Sequence, residues 1–304
     1  MPPVDASADS ADDLTAVLRA GRPRGDARSL VVDGVTCPLI IAGRGRPVLC
    51  VHGLGHDAWD WTSFFAACAI VQRNESPVRA AALDLPGFGL ADKPAGRRWD
   101  LPFLVDVVLA AAATLGEPPV LVGSSLGGHV ALLAALRSPS AFAKLVLVAP
   151  GGVVDVPAPM QALARAYYSV DAICARREDE IAANSRRIFA RAGSPFDDAL
   201  VARKLAVHRS PQRRAFAVPF AGVVDDVFRH VVIQRLHEVR VPALVISGAR
   251  DVVVPPDACA AAARALGARF VSLADVGHCP HLEAPAAFAD EVLAFALSPA
   301  GGAA

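Results

Sequence analysis

Three features of the 304-residue sequence predict an α/β chain built on one mostly parallel, doubly wound sheet. Short apolar runs, such as Pro47–Val51 and Lys144–Ala149, recur between longer segments with helical spacing. These runs are apolar at nearly every position, the pattern of strands covered on both faces. From 151 to about 239 the strand-like runs thin out, and Ala-, Arg- and Glu-rich stretches take over before the alternation resumes. The expectation is a sheet with helices on both faces and a helical insertion after the sixth strand.

Residues 1–27 read as a flexible N-terminal tail, since the first thirteen are rich in Pro, Asp and Ser. Ser29–Ile41 folds back on itself at Asp33-Gly34, a hairpin signal. Pro47–Val51 is a central strand, Trp61–Arg73 a helix and Val78–Leu83 a strand. Leu101–Leu115 is a helix, with Asp100 at its N-cap and Pro102 in its first turn. The strand ending at Ser124 runs straight into a helix over Leu126–Arg137, which Ser138-Pro139 ends. Lys144–Ala149 is the sixth strand. In the insertion, Pro159–Arg177 and Glu178–Arg191 have helical spacing, broken by Gly193-Ser194-Pro195 and Ser210-Pro211. Strands at Ala243–Ser247 and Arg269–Leu273 alternate with helices at Asp257–Leu266 and Pro285–Leu297. The implied division is a core of 28–150 and 240–298, an insertion over 151–239, and a frayed end over 298–304.

Composition narrows the class of partner. Thirty basic and thirty acidic residues leave no net charge, and basic residues cluster only in pairs such as Arg97-Arg98. Capture of nucleic acid or anionic lipid is not expected. Six scattered cysteines without a C-x-x-C read as reduced, mostly buried thiols. The N-terminus lacks an apolar signal core, and no apolar run approaches the ~20 residues of a membrane span. The expectation is a cytoplasmic monomer or homodimer acting on a small molecule, without metal or cofactor.

The segment Gly123-Ser124-Ser125-Leu126-Gly127 carries the chemistry. A serine between glycines, at a sharp strand-to-helix turn, is the nucleophile-elbow pattern G-x-S-x-G. The turn lifts the hydroxyl of Ser125 out of the sheet, and side chains at Gly123 or Gly127 would collide with adjoining backbone. The turn also puts the N–H of Leu126 at a helix start, where it can donate to a developing oxyanion. A serine hydroxyl needs a base, and the base needs a carboxylate. Asp251 follows the strand Ala243–Ser247, and His278 follows the strand Arg269–Leu273, so the order is Ser, Asp, His. Asp275 competes as the acid, with Asp84 and Asp106 behind it, and His281 competes as the base. The glycine-rich loop His52-Gly53-Leu54-Gly55 follows a central strand. The N–H of Leu54 is the expected second oxyanion donor, and His52 the residue that fixes the loop.

Gly53, Trp59, Met160 and Tyr167 are the expected substrate contacts. Trp59 has core packing as its alternative, and the stripe of Met160, Leu163, Tyr167 and Tyr168 is either packing or acyl pocket. His129, one helical turn beyond Ser125, reads as a polar core contact. The run His278-Cys279-Pro280-His281 with Glu283 lacks a zinc-ligand spacing, and nothing orients a base toward Cys279.

Taken together, VHGLG, DLPGFG, VGSSLGGH, GARDVVVP and GHCPHLEAP resemble the motif set of α/β-hydrolases that carry a lid. The resemblance covers about residues 29–297. It implies the α/β-hydrolase fold, a helical lid over 151–239, and a serine hydrolase cleaving a carboxylic ester or related acyl bond of a small hydrophobic substrate. Ser125 stands where epoxide hydrolases and haloalkane dehalogenases of this fold carry Asp. Carbon–carbon hydrolases of aromatic ring cleavage usually carry Asn before the nucleophile and Trp shortly after the histidine. Here those places hold Ser124 and Cys279-Pro280-His281, so hydrolysis of a vinylogous diketone ranks second. A hydrolase-fold small-molecule sensor is the non-enzymatic alternative.

Overall fold

Eight strands form one sheet in the computed structural model, which describes residues 11–71, 77–191 and 193–299. They are β1 (Asp26–Val32), β2 (Val35–Gly43), β3 (Arg46–Val51), β4 (Val78–Leu83), β5 (Val120–Ser124), β6 (Lys144–Val148), β7 (Ala243–Gly248) and β8 (Arg269–Leu273). Their order is β1-β2-β4-β3-β5-β6-β7-β8. β1 and β2 form the antiparallel hairpin, with Val32 opposite Val35, and β2 pairs antiparallel with β4. Every pairing from β4 through β3 to β8 is parallel. The loops that leave β3, β5, β7 and β8 therefore open on one edge of the sheet, and the candidate site lies there.

The strand alternation shows why both faces had to be apolar. Leu49 and Val51 of β3, Leu121 of β5 and Leu145 and Leu147 of β6 enter one core cluster. Val48, Cys50, Val120, Val122, Val146 and Val148 enter the other. Successive side chains point to opposite faces, so a strand covered twice has no polar positions to spare. The helices α3 (Leu101–Ala113), α4 (Leu126–Arg137) and α10 (Pro256–Leu266) cover the first face. α2 (Thr62–Val71) and α12 (Pro285–Leu297), which follows the short α11 (Pro280–Glu283), cover the second. Asp100 caps α3 by accepting the Phe103 N–H at 3.1 Å.

Between β6 and β7 run α5 (Ala158–Tyr167), α6 (Val170–Ala175), α7 (Glu178–Arg186), α8 (Pro195–Arg209) and α9 (Arg213–Val227). The single helix expected over Pro159–Arg177 is two. Tyr168 ends the first, and Ser169 caps the second, its Oγ accepting the Ala172 N–H at 3.4 Å. The helix expected over Trp61–Arg73 begins as a 3₁₀ turn, Ala58–Trp61, and then continues as α2. Positions 72 and 73 lie outside the described residues.

The N-terminal expectation needs correction. Residues 1–10 lie outside the described residues, but α1 (Ala11–Arg19) is helical, and Leu14 and Leu18 are buried. They pack with Ala206, Val207 and Phe216 of α8 and α9. The guanidinium of Arg203 donates to the carbonyls of Val17, Leu18 and Ala20 at 2.9–3.1 Å, which occupies acceptors left open at the end of α1. Arg22 reaches the buried carboxylate of Asp84 at 2.6 Å. The polar composition of this stretch hides an i, i+4 pair of leucines whose partners lie far along the chain.

Candidate active site

Ser125 sits at the junction of β5 and α4 with φ 52° and ψ −111°. A non-glycine residue there stores backbone strain. The turn is held from both sides, because the Ser125 N–H donates to Val148 O at 2.8 Å and its carbonyl accepts the Gly151 N–H at 2.8 Å. A Cβ on Gly123 would overlap the carbonyl of Gly127, and one on Gly127 would overlap that of Val51. The two flanking glycines let α4 start this close to β3. Leu126 is the first residue of α4, so its N–H has no partner within the helix and faces the same edge.

The structure brings His278 and Asp251 together, with His278 Nδ1 and Asp251 Oδ2 2.8 Å apart and both residues 6 % exposed. Asp251 Oδ1 accepts the N–H groups of Val253 and Val254 at 2.7 and 3.0 Å, which holds the carboxylate in place. An acceptor at Nδ1 directs the proton there and leaves Nε2 free to take one. The two loops meet closely, since a Cβ on Gly248 would overlap the Gly277 carbonyl. His278 N–H donates to Ile188 O at 2.8 Å, so the segment after α7 fixes the histidine loop. Glu283 accepts the N–H groups of Gly277, Cys279 and Ala190 at 2.7–3.0 Å.

The competing groups are engaged elsewhere. Asp275 is half-exposed, paired with Arg250 and with Arg191. Asp106 pairs with Arg137 on the surface at 2.6 Å. Asp84 accepts from Arg22 and from the N–H groups of Ala58 and Leu90. His281 is stacked on Trp61 with ring centroids 4.9 Å apart. Burial pushes the Cys279 thiol well above its ordinary range, so it stays protonated.

The loop after β3 is fixed by His52. Its Nε2 accepts the Leu85 N–H at 3.0 Å, so Nδ1 carries the proton and donates to Gly53 O at 2.8 Å. Gly53 lies against Ser125, where an added Cβ would stand 3.5 Å from the serine Cβ. Leu54 follows at the cavity wall.

Ser125, His278, Gly53, Leu54 and Trp59 line one cavity of about 350 Å³, a size within the range of small-molecule sites. Met160 and Tyr167 do not line it. They are 54 % and 43 % exposed and, with Leu163, form an outward stripe on α5. Tyr168 and Phe220 stand at the cavity instead, with ring centroids 5.4 Å apart. Helical spacing marks an apolar stripe without saying which way it faces; one residue further on, the side chain turns inward. The sequence reading also missed a polar wall. His56 Nδ1 contacts both Asp60 oxygens at 2.9–3.0 Å, and Arg203 reaches Asp57 at 2.6 Å across Trp59. Four-residue spacing of His56 and Asp60 is the one signal that pointed to the first pair.

His129 is a core contact. Its Nε2–H donates to His230 O at 2.7 Å and ties α4 to the end of the helical segment. Burial pushes its pKa down to about 4. The unfolded chain takes up this proton near 6.5, the native state only near 4. Native stability is therefore present at pH 7 and is lost as pH falls through that window, by about 3 kcal/mol at ~1.4 kcal/mol per pH unit. His56, lowered by the same cause, adds in the same direction. Urea unfolding at pH 7 and pH 4.5 checks this: His129→Gln is expected to flatten the pH dependence, and an unchanged slope would refute the assignment.

A family model described as the alpha/beta hydrolase family matches residues 48–291. The chain belongs to the alpha/beta hydrolase family. It is 31% identical over 251 residues to the pimeloyl-[acyl-carrier protein] methyl ester esterase of Methylococcus capsulatus, covering 79% of this chain and 91% of that protein. It is 28% identical over 263 residues to the dihydrolipoyllysine-residue acetyltransferase component of the acetoin cleaving system of Pseudomonas putida, covering 83% and 63%. It is 30% identical over 127 residues to the 2-hydroxymuconate semialdehyde hydrolase of Pseudomonas sp. strain CF600, covering 41% and 44%. The matches to these last two relatives thus span less than two-thirds of their lengths. Among solved structures, the esterase from Exiguobacterium antarcticum superposes with a TM-score of 0.75 at 20% identity, covering 90% of this chain and all of that one. At that identity the likeness shows the fold. Among the described residues, no helix is long and apolar enough to cross a membrane.

Proposed function

We propose that this hydrolase is a serine enzyme that cleaves a carboxylic ester, or a related acyl bond, of a small and largely hydrophobic substrate through an acyl-enzyme. The observation that carries the reading is the buried His278–Asp251 bond, ending in the cavity into which the strained elbow places Ser125. Ser125 Oγ attacks the carbonyl while His278 Nε2 takes its proton. Asp251 holds the imidazolium. The N–H groups of Leu54 and Leu126 receive the oxyanion. His278 then protonates the leaving alcohol, and water repeats the sequence to free the acid. The helices α5–α9 act as the lid of this cavity, with Tyr168, Phe220 and Trp59 as apolar wall.

A second reading is carbon–carbon hydrolysis of a vinylogous diketone. It is favoured by the likeness to 2-hydroxymuconate semialdehyde hydrolase. Ser124 and the Cys279-Pro280-His281 run stand against it. One experiment separates the two: fluorophosphonate labelling followed by a panel of p-nitrophenyl esters, lactones and vinylogous diketones. The ester reading expects labelling together with turnover of esters. Labelling with turnover confined to diketones would give the second reading its place, and no labelling would remove both.

A further inference from the structure

The charge on the cavity wall differs from that of the chain. Formal net charge is zero overall. The residues lining the cavity hold five Lys and Arg against two carboxylates. Both carboxylates are already engaged, Asp57 by Arg203 at 2.6 Å and Asp60 by His56 at 2.9 Å. Arg203 is thereby spent. Arg176 is held over the rings of Tyr167 and Tyr168 and donates to Tyr167 O at 2.8 Å. Arg187 and Arg213 are exposed at the rim. Lys204 is different. It projects from α8 into the cavity, and its ammonium makes no hydrogen bond or ion pair with any described residue. Burial disfavours its charged form, and the charge of Asp60 favours it without a hydrogen bond between the two.

We infer that Lys204 is an anion-binding residue of the cavity, and that the substrate carries a carboxylate besides the bond that is cleaved. The inference rests on the hydrolase reading of Ser125 and narrows its substrate class to half-esters and other acyl compounds with a second, negatively charged group. Lys204 is partly buried, and its ammonium stands in the cavity wall with donors unused, so an incoming carboxylate both pairs with it and supplies the missing acceptor. The exposed arginines at the rim add a positive field that draws such a substrate in. Lys204 is a specificity residue: it binds, and takes no part in the acyl chemistry.

The test compares mono-4-nitrophenyl glutarate with 4-nitrophenyl butyrate. The wild-type enzyme is expected to favour the anionic ester by about tenfold or more in kcat/KM. Lys204→Gln should lower that anionic-to-neutral ratio about tenfold, and Lys204→Arg should keep most of it. A ratio below one in the wild type, or one that Lys204→Gln leaves in place, overturns the inference. If Lys204 only balances Asp60, both esters lose equally and the ratio stands. Binding supplies a readout free of turnover: calorimetric titration of Ser125→Ala with monomethyl glutarate should weaken about tenfold when Lys204→Gln is added. Equal affinity in the two variants would refute the anion site whether or not Ser125 is the nucleophile, whereas full turnover by Ser125→Ala would refute only the nucleophile.

Discussion

Ser125→Ala is expected to abolish fluorophosphonate labelling and to lower turnover of a short-chain p-nitrophenyl ester by about 10⁴-fold. The fold should not register the change. The Ser125 side chain makes no capping hydrogen bond to α4, and alanine meets the same backbone strain at φ 52°. Unfolding free energy should therefore stay within ~0.5 kcal/mol of the wild type. Ser125→Gly serves as a control, because it is equally inactive by this mechanism while relieving the strain, and glycine adopts that φ freely. Circular dichroism and urea unfolding check the fold, and the chromogenic assay checks the chemistry. Retention of more than a tenth of the wild-type rate by both variants would dispose of Ser125 as the nucleophile.

Asp84→Ala is expected to give the largest loss of stability. Asp84 is fully buried and accepts three times, from Arg22 Nη2 at 2.6 Å, Ala58 N–H at 2.8 Å and Leu90 N–H at 2.8 Å. Removing it strands a guanidinium whose side chain is 6 % exposed and leaves the buried Ala58 N–H and the partly buried Leu90 N–H without acceptors. Breaking a buried pair from one side costs about 3–5 kcal/mol. The damage should reach the site as well, since Ala58 opens the 3₁₀ turn that carries Trp59 and Asp60 into the cavity wall. Urea unfolding measures the loss. The double substitution Arg22→Met with Asp84→Asn should recover much of it, because no unpaired charge then remains. A loss under ~1 kcal/mol for Asp84→Ala would mean that the N-terminal segment is not held as described.

The candidate site residues were legible wherever short-range rules fix them. Ser125 announces itself because only a narrow turn between glycines can follow β5 so abruptly; the steric reason for Gly123 is its near neighbour Gly127, whereas that for Gly127 is Val51 on the adjacent strand β3. Asp251 and His278 could be singled out as candidates because each follows a strand, and the structure brings them 2.8 Å apart. Their rival Asp275 is nearer in sequence to His278, yet it points to the surface and pairs with arginines. Met160 and Tyr167 went astray because a helical period gives a face without a direction. The N-terminal helix was hidden because Leu14 and Leu18 gain their burial from α8 and α9, a contact no local pattern encodes.

By itself, the sequence determined the alternation of strand and helix and the strained serine turn, since each depends on residues close along the chain, and the chain order of hydroxyl, carboxylate and imidazole, which is read directly from it. Only the tertiary structure decided what surrounds them: the ordered N-terminal helix, the His56–Asp60 and Asp57–Arg203 pairs in the cavity wall, and the unbonded ammonium of Lys204. Those features depend on which distant groups desolvate and face one another, and that is set by how the helical segment after β6 packs back over the sheet edge.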